Sequence, residues 1–181
     1  MKSCTFVFKT NDCPMKDVIH IASYIAHRYR QEYGCRIGEM KLHKLLYFTQ
    51  REALVQTGEP LFEASFYGWK YGPVLKEIRD LYRSDSLYTL PSEDVIGRYQ
   101  SVFDKVFSQY AIKDSLSLSR LSHGELSWKN SRKGLSYSDK GDVKMALEDI
   151  RKDADRIRLR RRILKEMGVI KLWAVKSSCH A

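Results

Sequence analysis

The tract FYGWKYGPVLKEI, residues 66–78, constrains the fold more than any other part of the chain. Gly72-Pro73 interrupts any regular element running through it. A proline has no backbone NH to give a helix interior or a central strand, but it suits a first helical position. The tract therefore predicts a helix opening at Pro73, with Val74, Ile78, Leu81 and Tyr82 on one face. Phe66, Tyr67, Trp69 and Tyr71 come before that helix and form either a wall of the core or a surface for a partner.

Other runs are cut in the same way. A first helix is expected from about Pro14, with Val18, Ile21, Ala22, Ile25 and Tyr29 facing inward and Gly34 as its stop. Leu42, Leu45, Leu46, Thr49 and Ala53 trace a second helix that ends near Gly58. PLFEASFYGW has alternating aromatic character and reads as extended, with a short strand expected. Residues 84–94 read as a loop with Ser92 as a cap, and Val95, Val102, Val106 and Tyr110 predict one further helix. Ser122-His123-Gly124-Glu125 has the spacing of a capping box. From about Asp142, Val143, Leu147, Ile150, Ala154, Ile157 and Leu164 predict a long helix ending at Gly168, and VIKLWAVK follows as a strand or docked extension. These runs predict a mainly α, compact multi-helix domain with a small extended element.

The 181 residues and 43% apolar content suit a single core. No apolar run approaches the ~18 residues of a membrane span, and no secretory signal is visible, so a cytoplasmic protein without membrane contact is expected. Cys4, Cys13, Cys35 and Cys179 have neither the spacing nor the histidine partners of a zinc or redox site, so neither metal nor cofactor is expected. The net charge is +10, and residues 151–165 alone hold eight basic and two acidic side chains. That segment calls for an acidic partner, either a protein or, as the alternative, nucleic acid along Arg156, Arg158, Arg160, Arg161, Arg162 and Lys165.

No pattern for catalysis is present: there is no GxSxG, HExxH, Walker loop or GxGxxG, and His20, His27, His43 and His123 have structural readings. A non-enzymatic binding module is expected.

Four ordered elements resemble the Panacea, or SocA-like, antitoxin domain, which includes GepA-like phage-associated proteins. The first is Lys41, Leu42, Lys44, Leu45, Leu46 and Tyr47; the second Gly58, Pro60, Leu61 and Phe62. The third is Trp69, Tyr71, Gly72, Pro73 and Val74; the fourth Leu121, Ser122, His123 and Trp128. The resemblance covers about residues 14 to 150, leaving 151–181 as a basic helix and tail of the same fold. It implies neutralisation of a cognate protein toxin by direct contact, with hand-over to a protease as a role known in the family. Motifs shared by proteins with unrelated partners hold the fold, so Trp69, Tyr71 and Trp128 read mainly as core anchors. The chain departs from the family at FTQREAL, which places an altered surface at Gln50, Arg51 and Glu52. Those three, with Trp69, Tyr71, Arg158, Arg161 and Lys165, are the expected partner-binding residues.

Overall fold

The computed structural model describes residues 18–169. The expected helix start at Pro14, the tail beyond Val169, and Cys4, Cys13 and Cys179 lie outside them.

Helix α1 (Val18–Tyr33) turns its expected face, Val18, Ile21, Ala22, Ile25 and Tyr29, against α2 (Glu39–Thr57). Gly58 closes α2 in the left-handed conformation and returns its NH to Leu54 O. Fourteen of the 19 residues of α2 are buried, so this helix is an axis wrapped on every side. A helix enclosed all round turns even its polar positions inward.

The aromatic tract forms a hairpin instead of a helix opening. Strands β1 (Tyr67–Trp69) and β2 (Gly72–Val74) pair antiparallel, Trp69 opposite Gly72 and Tyr67 opposite Val74. Helix α3 (Lys76–Arg83) begins only afterwards, with Leu75 as its cap and Ile78 buried. Pro73 lies on the strand with no further strand beside it among the described residues, a place that tolerates a missing donor. Gly72 adopts φ +102°, and a Cβ there would collide with Ser122 Oγ and the Lys44 side chain. The outer edge of β1 is covered by residues 140–145. Gly68 N donates to Val143 O (3.0 Å), Lys70 N to Lys140 O (2.7 Å) and Met145 N to Phe66 O (2.8 Å). For that reason the last helix starts at Leu147 and not at Asp142.

The helix expected through Val95 and Tyr110 is broken at Tyr99 (φ −109°, ψ 13°) into α4 (Glu93–Arg98) and α5 (Gln100–Val106), and a π turn follows over Phe107–Ala111. Val102, Phe103 and Val106 enter the core, while α4 buries nothing. Ser92 occupies the cap position without a side-chain bond.

The expected capping box does not form, because Ser122 closes one helix and Glu125 precedes the next. Helix α6 (Ser115–His123) is capped by Asp114, and Ser122 Oγ donates back to Ser119 O. Helix α7 (Leu126–Ser131) receives its cap from α8 (Leu147–Glu166), where the Asp153 carboxylate accepts from Leu126 N (2.7 Å) and Ser127 N (2.9 Å). The architecture is mainly α with one two-stranded antiparallel sheet.

Candidate functional site: the face of the hairpin

The family-type residues on α2 are structural. Leu42 and Leu45 are in the core, and Lys41 Nζ donates to Tyr29 OH and Ala111 O. Tyr47 packs edge-on to Phe66 and shares its hydroxyl with Ser127 (2.9 Å). Lys44 is buried and donates to Pro73 O (3.0 Å), and burial brings its pKa down to about 7. Beside it His43 accepts from Leu75 N (3.4 Å). Burial, reinforced by the charges of Lys44, Arg79 and Arg83, lowers His43 to about 3. His123 stacks on Trp128 at 3.9 Å, and Trp128 Nε1 donates to Trp69 O.

Gln50, Arg51 and Glu52 are not at the surface, because α2 is enclosed. Gln50 bonds Phe62 O (2.8 Å) and Leu61 N (2.9 Å), fixing the turn after α2. Arg51 pairs with Glu125 and donates to Tyr110 OH (2.6 Å). Burial pushes Glu125 up to about 7 against the pull of Arg51. Both oxygens of Glu52 accept from Arg161 (2.7 and 2.8 Å). Arg158 donates to Leu54 O (2.6 Å) and Val55 O (3.2 Å), and Arg151 to Gly58 O (2.5 Å). These cations satisfy the C-terminal carbonyls of α2, where its dipole favours positive charge. Arg161 therefore faces inward, Arg158 reaches these carbonyls from an exposed position, and Lys165 is exposed.

Trp69 and Tyr71 are not core anchors, because the hairpin carries them away from the core, Tyr71 to an exposed position and Trp69 to a half-buried one. Tyr71, at the turn, is 51% exposed, and Tyr137 is 73% exposed. Lys70 Nζ lies 5.3 Å from the ring of Tyr71 and 5.6 Å from that of Tyr137. Lys140 Nζ is 4.3 Å from the Trp69 ring centre, and Lys76 Nζ 3.9 Å from that of Tyr67. Asp142 ties the face together by accepting from Trp69 Nε1 (3.1 Å) and Lys76 (2.7 Å). The Lys76 bond, then the Trp69 bond, holds its carboxyl below the usual range. The result is an aromatic surface edged by ammonium groups, suited to an anionic partner with apolar side chains.

Residues 42–129 match the antitoxin SocA-like, Panacea domain family. No curated protein and no solved structure matches the chain. The Panacea span runs from within α2 to within α7 and contains the hairpin; Tyr137, Lys140, Asp142 and all of α8 follow it. No helix of the described residues is long and apolar enough to cross a membrane, and no cluster of three metal-ligating side chains occurs among them. Lys70, Tyr137, Lys140 and Asp142 escaped the sequence reading. The lysine set between two aromatics in WKY was the one local signal, since 137–142 reaches the hairpin only through the pairing with β1.

Proposed function

We propose that this protein is an antitoxin that works in the cytoplasm by covering a cognate protein toxin, without turning over a substrate. The Panacea match carries this reading. The exposed rings and ammonium groups of the hairpin face supply the contact, with Tyr71, Tyr137 and Lys70 at its centre. Rigid aromatic side chains lose little entropy on docking, and the flanking cations speed encounter with an acidic surface.

The adjacent open reading frame provides the test. Its product, expressed alone, should arrest growth, and coexpression of this chain should restore it. Tyr71→Asp combined with Lys70→Glu should abolish rescue while leaving the melting temperature within a few degrees of the native value. A harmless product, or full rescue by the double variant, contradicts the reading.

A further inference from the structure

A second surface lies on the far side of the core. Between the α6–α7 junction and α8 runs a groove of about 320 Å³, lined by Phe48, Leu121, Ile157, Glu125, Arg156 and Arg160, with Arg156 paired to Glu125 and Asp153. Leu121 is 43% exposed at its edge, and Arg51 at its floor keeps a buried Nε without a partner. The groove does not stop at Arg160. Helical spacing carries the same side of α8 on to Ile163 and Met167, which are 44% and 68% exposed. An apolar strip thus leaves the mouth of the groove along the last turns of α8, with Arg160 on it and Glu166 as the single carboxylate of residues 159–167.

We propose that this groove and strip dock an acidic amphipathic helix of the partner protein, one whose leucine-like side chains enter between Leu121 and Ile163 and whose carboxylates meet Arg160. Charge selects this occupant over the two others at hand. A second copy docked about a two-fold axis would bring Arg160 against its own counterpart on the same strip, and like charges facing each other are unfavourable. Residues 170–181 of the chain itself contain Lys171 and Lys176 and no Asp or Glu, so they do not complement the strip either. The assignment rests on the antitoxin reading for the identity of the partner, but not for the chemistry of the surface. Burying the strip removes apolar area from water, and an amphipathic helix laid in a groove achieves this with few anchors.

The test uses the full chain and a synthetic peptide with Leu and Glu at helical spacing, beside a control peptide in which every Glu is Lys. Fluorescence anisotropy should show saturable binding of the acidic peptide alone. Arg160→Glu and Ile163→Asp should each weaken it at least tenfold with an unchanged melting temperature. Tyr71→Asp, on the other surface, should leave it intact. No binding of the acidic peptide, equal binding of both peptides, or unchanged affinity in the two α8 variants overturns the proposal. So does a tenfold gain in affinity on deleting 170–181, which assigns the groove to the chain's own tail, or a dimer in light scattering that Ile163→Asp dissociates. Failure of growth rescue with intact peptide binding removes the antitoxin reading and leaves this surface standing.

Discussion

The pair Glu52–Arg161 shows how this protein uses charge. Glu52 is fully buried, whereas the Arg161 side chain keeps 30% of its surface in water. The two halves are therefore not equivalent. Arg161→Ala leaves a carboxylate that cannot reach solvent with the Gln56 amide but no cation beside it, and denaturant unfolding should show a loss of about 3–5 kcal/mol. Glu52→Gln leaves a guanidinium that can turn outward, and the loss should stay near 1.5–3 kcal/mol. Equal losses would mean that the carboxylate is solvated after all. Lys44 provides a pH test. Its folded pKa, about 7, lies below the usual ~10.4 of lysine, so between these values the unfolded chain binds the extra proton. Stability should therefore rise from pH 7 to pH 10, and Lys44→Met should flatten that rise in a melting series. His43 acts in the same sense at lower pH, through a folded value of about 3, but Glu125, held up at about 7, opposes it there. The alkaline window is the one to measure. None of this was legible residue by residue. QRE within an apolar helix reads as a surface stripe, because its partners Phe62, Glu125 and Arg161 are 12, 74 and 109 positions away.

Helices with one apolar face were legible. Val18 to Tyr29 repeats at helical spacing, as does Leu42 to Ala53 even though α2 is buried all round, and Gly34 and Gly58 end the two helices with positive φ. Elements decided by distant backbone were not. Pro73 is as compatible with a first helical turn as with an edge strand, and it becomes strand through its place opposite Gly68 in the hairpin, whose other edge pairs with 140–145. The same pairing moved the start of α8 by five residues, from Asp142 to Leu147. The hairpin also separates two aromatics that look alike in sequence. Phe66 is 1% exposed in the core, while Trp69 is half-buried outside it, beside Lys140 and Asp142. Phe66→Ala should cost about 3–5 kcal/mol by the burial it removes, against about 1–2 kcal/mol for Trp69→Ala. Thermal melts of the two variants settle the order. A larger loss for Trp69→Ala would return that ring to the core. The α7 cap belongs to this scale too: Asp153→Asn should destabilise by about 1–2 kcal/mol, since the amide cannot accept from Leu126 and Ser127 with the strength of a carboxylate.

At the scale of the whole molecule, the basic residues divide into two populations. Arg51, Arg151, Arg158 and Arg161 are turned onto carbonyls and carboxylates of neighbouring elements, and the last three hold α8 against the end of α2. Lys70, Lys140 and Arg160 face outward beside exposed Tyr71, Tyr137 and Ile163. The sequence shows the excess of charge but not its division, because RLRRRILK places cations around the whole helix and only packing sorts them. We propose that the outward population, supported by a rigid interior, is a protein-binding surface. Calorimetric titration of the purified product of the adjacent gene into this protein tests it most directly. Saturable heat is expected with the native chain and none with Tyr71→Asp/Lys70→Glu at an unchanged melting temperature. Flat heats with a folded native chain, or the same isotherm for both proteins, would contradict it.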